Sequence, residues 1–156
     1  MENNITFGYL KINEINQYSD MINAIFDEFV GKDYSEEGNR TFKDFTDPKN
    51  ALERFNNKLC KFFVAKCNKE IIGVLETKNN DHISLYFVKK EFHKQDIGRK
   101  LFQMFMDTIK DDVEIKAISV NSSIYAEKVY SKLGFISTDG ILEKCGMKYI
   151  PMEYKI

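Results

Sequence analysis

Cysteine is scarce in this chain. Its 156 residues hold 3, at positions 60, 67 and 145. The number is odd, and the spacing of Cys60, Cys67 and Cys145 fits neither a metal knuckle nor a Cys-x-x-Cys motif. The expectation is buried or half-buried thiols in a reducing compartment, and no metal. An excess of one charge is also missing: 23 basic residues face 24 acidic ones, for a net charge of -1. That balance argues against a general nucleic-acid or membrane-surface binder. No apolar run approaches membrane-spanning length. The start, Met1-Glu2-Asn3-Asn4, carries neither a basic patch nor an apolar stretch of the kind a leader needs. Tryptophan is absent, and there are no repeats, low-complexity segments or linkers. The chain therefore reads as one cytoplasmic domain covering residues 1–156.

What is present suits a packed core. Apolar residues make up 43% and aromatics 13%, carried by Phe and Tyr, which is an ordinary globular composition. Alternation over residues 5–12, with Phe7 and Tyr9, predicts a strand. Ser19 or Asp20 is placed to cap a helix whose Met21, Ile22, Ile25, Phe26 and Phe29 recur at helical spacing, and Gly31 supplies a stop. Residues 32–46 show no clean period and read as a long functional loop. Asp47-Pro48 starts a helix with Leu52, Phe55 and Leu59 on its buried face. Residues 62–67 and 70–77 form strands around a turn, and His82–Val88 is a central strand, apolar on most positions. A helix from Gly98 carries Leu101, Phe102, Phe105, Met106 and Ile109. A strand over 117–120 leads into a helix near Asn121 or Ser122, with Ala126, Val129, Tyr130 and Leu133 at i, i+3, i+4 and i+7 spacing, ended by Gly134. Strands over 135–137 and 148–155 complete the set. Hairpins come first and strand–helix units follow, so the sheet is mixed and the class is α+β or α/β.

The stretch from Leu85 to Phe102 carries the chemistry. An apolar run stops at Lys89-Lys90-Glu91, a polar loop follows, and an amphipathic helix begins. Free backbone N–H groups then gather at a helix N-terminus just beyond a buried strand, which is a place that binds phosphate. The loop matches neither a Walker A motif nor Gly-x-Gly-x-x-Gly, so a nucleoside triphosphate or dinucleotide site is not supported.

The six residues His93-Lys94-Gln95-Asp96-Ile97-Gly98 resemble the acyl-CoA-binding motif of the GNAT superfamily of N-acetyltransferases, Arg/Gln-x-x-Gly-x-Gly/Ala. The segment from Asn121 through Ala126 and Tyr130 to Gly134-Phe135 resembles that family's Asn…Ala-x-x-x-Tyr-x-x-x-Gly-Phe pattern, and Met152 in a last strand also fits. The resemblance implies a single-domain α+β fold with a mixed, mostly antiparallel central sheet flanked by helices. It implies an enzyme that moves an acetyl group from acetyl-CoA, a co-substrate, to a primary amine by direct attack through a tetrahedral intermediate. The acceptor would be a small-molecule or protein amine, and a homodimer is the prior for a small soluble enzyme.

By the same resemblance, His93, Lys94, Gln95, Asp96, Ile97, Gly98 and Arg99 hold the pyrophosphate, and Asn121 contacts the pantetheine arm. A backbone N–H near Phe87 or Val88 faces the thioester oxygen, and many relatives bulge this strand to free such an amide. Tyr130 would stand beside the sulfur as general acid. His82 and Glu37 lead the candidates for general base, with Glu36 and Glu76 behind them. Plainer readings stay open beside these: Tyr130 as a core aromatic, Asn121 as a helix N-cap, His82 as a hydrogen-bonded strand end. Two departures from the motif matter. His93 replaces Arg or Gln, and Asp96 replaces the first Gly. Asp tolerates left-handed backbone, but its carboxylate beside a pyrophosphate costs about 1 kcal/mol in solvent, so weakened acetyl-CoA binding is expected. The alternative function is a non-catalytic or weakly catalytic acyl-CoA-binding module, or an interaction protein, on the same fold.

Overall fold

The computed structural model describes residues 4–156. The reading of the chain start falls on residues 1–3 and lies outside the described residues. Helices α1 (Ile15–Phe29), α2 (Glu36–Thr46) and α3 (Pro48–Phe55) follow strand β1 (Ile5–Tyr9). Then come β2 (Cys60–Cys67), β3 (Glu70–Lys78), β4 (His82–Val88), α4 (Ile97–Ile109), β5 (Ala117–Ser122), α5 (Glu127–Leu133), β6 (Ile136–Ser137), β7 (Leu142–Lys144) and β8 (Met147–Lys155). The sheet order is β1-β2-β3-β4-β5-β8-β6, with β7 paired to β8. β4 and β5 run parallel, while the other recorded pairs are antiparallel. The expected mixed, mostly antiparallel sheet flanked by helices is therefore present. No helix among the described residues is long and apolar enough to cross a membrane.

Each face of the sheet carries its own core. On one side Phe63, Leu75, Leu101, Phe105 and Tyr130 pack beneath α4 and α5. On the other, Tyr18, Ile22, Phe26, Phe62, Val74 and Leu85 pack beneath α1, α2 and α3. Side chains of this size contribute roughly 1.5–3 kcal/mol each when fully buried. On the second face Glu76 is wholly buried. It accepts hydrogen bonds from Tyr18 Oη (2.7 Å) and Arg54 Nε (2.7 Å). The Arg54 guanidinium also lies 3.7 Å from the Phe45 ring centroid. That network joins α1, α3 and β3 and leaves the Glu76 carboxylate fully engaged.

Several boundaries differ from the sequence reading. β1 stops at Tyr9, and α1 begins at Ile15 because Ile15, Tyr18, Ile22 and Phe26 continue one buried stripe. Residues 36–46 are a helix rather than a loop. Ser35 caps it by accepting from Gly38 N (3.1 Å), and its buried positions are Gly38, Phe42 and Thr46. They recur every fourth residue, yet one is glycine and one is threonine, so no hydrophobic period is visible. Gly38 has a packing reason: a Cβ there would lie 2.1 Å from Gly146 O. In α3 the buried residue is Ala51 and Leu52 is exposed, while Leu59, expected on its buried face, lies beyond the helix and is exposed. β5 runs on through Asn121 and Ser122, which pair with Pro151 and Ile150 of β8. α5 therefore starts at Glu127, and Asn121 does not cap it. Ser123 turns the chain instead, accepting from Ala126 N (3.1 Å). β7 went unread, because its hairpin turns on Cys145 and Gly146, both at positive φ.

Candidate active site

The site begins with an irregularity in β4. Glu76 pairs with Leu85 and Thr77 with Ile83, so Ser84 is an extra residue. The bulge explains how Ile83 and Leu85, two residues apart, face opposite cores when a regular strand would keep them on one face. Parallel pairing of β4 with β5 covers His82↔Ser119 and Ile83↔Val120 and goes no further. Beyond Ser84 the strands part, and a cleft of about 570 Å³ opens between them, lined by Ser84 to Val88 on one wall and by Val120, Asn121, Ala126, Val129 and Tyr130 on the other.

The pairing pattern decides which amides face this gap. Lys89 N donates to Ile72 O (2.8 Å). Antiparallel ladders alternate bonded and non-bonded pairs, so Phe87 and Leu85 also point their backbone groups at β3. Tyr86 and Val88 point theirs away from β3, into the cleft. Of the two residues singled out for an oxyanion-type amide, the alternation thus favours Val88 and commits the Phe87 amide to Val74. The Phe87 side chain still lines the cleft.

Past Val88 the chain makes a short 3-10 turn and enters the loop before α4. Lys94 and Asp96 both adopt left-handed backbone, with φ of 70° and 57°. Asp96 stands at the N-cap position but its side chain makes no cap bond. The backbone N–H groups of Lys94, Gln95, Asp96, Ile97, Gly98 and Arg99 have no acceptor among the described residues. A run of open donors at the positive end of a helix dipole is an anion cradle. The left-handed φ expected at Asp96 is present. The one at Lys94 was not foreseen, since lysine gives no signal for it. Gly98 is needed for close approach rather than for φ: a Cβ there would meet Tyr86 Oη at 2.7 Å.

Tyr130 projects from α5 to the floor of the cleft, 4% exposed, its ring 5.7 Å from Tyr86 and 5.4 Å from Phe135. Burial raises its hydroxyl well above the ordinary tyrosine range, and the neighbouring Tyr86 adds to this. Tyr86 is likewise raised by burial, against a lowering by Arg99. Both hydroxyls keep their protons near neutral pH. Val129, expected in the core, is 48% exposed and forms part of the cleft wall instead.

The remaining sequence-derived residues divide. Asn121, His93, Lys94, Asp96, Ile97, Gly98 and Arg99 line the cleft, and Gln95 sits in the same loop. The His93 ring turns back on β4, with Nε2 2.9 Å from Val88 O. His82 is at the closed end of β4, with Nδ1 2.8 Å from Ser119 Oγ. That is about 20 Å along the strand from Val88 at 3.3 Å per residue, and burial lowers its pKa. Glu37 lies exposed in the first turn of α2, away from the cleft wall, as does Glu36. Glu76 is held in its ion pair with Arg54. The structure thus gathers the cofactor-loop residues and Tyr130 in one place and leaves His82, Glu36, Glu37 and Glu76 outside it. Sequence reasoning missed Tyr86, Phe29, Tyr34 and Tyr125, which also line the cleft. The signal for Tyr86 was its place one turn of the pleat from Val88 on the face that meets Gly98.

The architecture has close counterparts among solved structures. A GCN5-related N-acetyltransferase from Rhodopseudomonas palustris superposes with a TM-score of 0.81 at 16% identity, over 100% of this chain and 99% of that one. The PaiA N-acetyltransferase from Thermoplasma acidophilum, in complex with coenzyme A, gives 0.81 at 20% identity over 98% and 99%. An aminoglycoside 6'-N-acetyltransferase complexed with coenzyme A gives 0.68 at 13% identity over 96% of each chain. At these identities the likeness establishes the fold. No curated protein matches the chain. The family model for an acetyltransferase (GNAT) domain matches residues 30–156, and with that match over most of its length the chain belongs to the GNAT acetyltransferase family.

Proposed function

We propose that this protein is an N-acetyltransferase that takes an acetyl group from acetyl-CoA and places it on a primary amine. The observation that carries the reading is the run of open N–H groups at residues 94–99, lying at the mouth of a cleft whose floor holds the Tyr130 hydroxyl. The cradle fits a pyrophosphate: it offers donors, a helix N-terminus and the cations Lys94 and Arg99. The inward backbone N–H and C=O of Tyr86 fit an amide group of a pantetheine arm, which would lie along the sheet edge that β5 leaves open. Asn121 faces them across the cleft. Acetyl-CoA supplies an activated acyl group as a thioester.

The protein's own contributions follow from the geometry. The Val88 amide is oriented to stabilise charge on a carbonyl oxygen. Tyr130, its proton retained through neutral pH, donates a hydrogen bond to a departing thiolate, because a thiol's ordinary pKa of roughly 8.5 lies below that of a buried tyrosine. The aromatic walls exclude water. Calorimetry with acetyl-CoA together with a thiol-release assay on a panel of amines tests the reading. Binding followed by amine-dependent thiol release supports it, and absence of binding contradicts it. The positions of His82 and Glu37 outside the cleft favour a second reading, a CoA-binding module without an efficient base. Tight binding with no release for any amine would select that reading instead.

A further inference from the structure

The acceptor half of the cleft has a definite chemical character. Away from the phosphate loop the cleft lining includes Ile25, Phe29, Tyr34, Phe42, Phe87 and Tyr125. Phe29 of α1 and Tyr125 of the β5–α5 loop stack with centroids 5.0 Å apart and planes 18° off parallel. Phe42 is backed by Phe26 at 3.9 Å and 7°, and meets Phe87 edge-on at 6.2 Å. The one carboxylate on the whole cleft wall, among the described residues, is Asp96, and it stands at the phosphate loop.

Two consequences follow. A polycationic acceptor needs carboxylates to offset its desolvation, and this half of the cleft has none. An aliphatic amine, with a lysine-like pKa of roughly 10.4, arrives as ammonium near neutral pH and must lose a proton before it can attack. Of the groups on the cleft wall, Tyr34, Tyr86 and Tyr130 are held protonated by burial, the His93 imidazole is turned onto Val88 O, and the Asp96 carboxylate stands at the phosphate loop. An amine borne directly on an aromatic ring has its lone pair delocalised. It is neutral at the same pH and needs no base before attack.

Resting on the acetyl-transfer reading above, we propose that the acceptor is a weakly basic aromatic amine whose flat body lies among Phe29, Phe42, Phe87 and Tyr125. Its nitrogen lone pair forms the N–C bond to the acetyl carbonyl carbon, and the C–S bond breaks with its electron pair leaving on sulfur. The proton lost from nitrogen passes to solvent, and the sulfur takes one up, so the products are the N-acetyl arylamine and the free thiol.

The test compares 4-methylaniline, benzylamine and spermidine as acceptors, with thiol release and product mass as readouts. Near neutral pH, kcat/KM for 4-methylaniline should exceed that for spermidine by at least about tenfold. It should stay flat between about pH 6 and pH 9, while the benzylamine value rises about tenfold per pH unit below that amine's pKa. Tyr125→Ala, a half-exposed position, should raise the arylamine KM about fivefold and leave the acetyl-CoA Kd unchanged. A preference for spermidine or benzylamine near neutral pH, or an unmoved arylamine KM in Tyr125→Ala, overturns the acceptor class while leaving acetyl transfer standing. Acetyl-CoA binding with no product from any of the three amines overturns both.

Discussion

The two ends of β4 are built from the same strand and do opposite things. At the His82 end, pairing is complete on both sides, with β3 at Lys78 and β5 at Ser119. His82 is matched with Ser119 Oγ, and Ser119 N with Asp81 O at 2.8 Å, while Thr77 Oγ1 on the adjoining β3 is buried without a partner. At the Val88 end, pairing persists with β3 alone, and the Tyr86 and Val88 amides face an opening. The Ser84 bulge separates the two regimes. Buried or half-buried backbone donors demand partners. An end of a sheet that leaves them unmatched, continued by a loop and helix N-terminus that do the same, is shaped for a ligand rich in acceptors. On the proposed function, the closed end contributes stability and the open end is where acetyl-CoA would bind.

Tyr130→Phe strikes the open end and carries the largest expected effect. It should lower kcat on the order of 10²-fold and change the acetyl-CoA Kd by less than about twofold, and an unchanged kcat would refute the donor role. Because burial raises this hydroxyl above its ordinary pKa of about 10, it stays protonated below that pH, and wild-type rates should show no alkaline fall assignable to it. Next in size is Gly98→Ala. The new Cβ must displace Tyr86 Oη, at an overpacking cost of about 1–3 kcal/mol, so acetyl-CoA should bind about tenfold more weakly. Adding Tyr86→Phe should recover most of the loss, and calorimetry on both variants decides.

Asp96→Gly removes a carboxylate from the anion cradle while keeping access to left-handed φ, and should tighten acetyl-CoA binding about fivefold, the equivalent of about 1 kcal/mol. Equal Kd values would show that Asp96 points its charge harmlessly into solvent. The smallest effect belongs to the closed end. His82→Ala should cost about 1 kcal/mol of stability and leave kcat unaltered. Burial lowers the folded pKa of His82 below its ordinary value. The neutral ring's contribution is therefore present above about pH 6.5 and fades as pH falls through the folded pKa. The variant's melting temperature should depend less on pH across that window than the wild type's, and a large drop in kcat would instead place His82 in the chemistry.

Much of this contrast was legible in the sequence, and the exceptions have physical causes. The hairpin strands, α4 and the Gly134 stop were readable because their apolar periods are strong. The order of β4, loop and α4 was readable because a strand, a polar loop and an amphipathic helix follow one another. α2 was hidden because helix–hairpin contact at Gly38 and Gly146 requires glycine, which erases the hydrophobic stripe. The start of α5 was misplaced because Asn121 and Ser122 have the composition of a cap, while β8 holds them in a ladder. The bulge at Ser84 leaves no trace in composition, since it arises from how β3 and β4 register. The same register sets the place of His82, which stands at the paired end of β4, two residues before Ser84 at the cleft.

The most direct test is amide chemical-shift mapping of the isotope-labelled protein during titration with acetyl-CoA. Large shifts are expected for the amides of Tyr86, Val88 and residues 94–99, and little change at His82, Ile83 and Ser119. Saturable binding that shifts the closed end while leaving residues 94–99 unmoved would contradict binding at the open end.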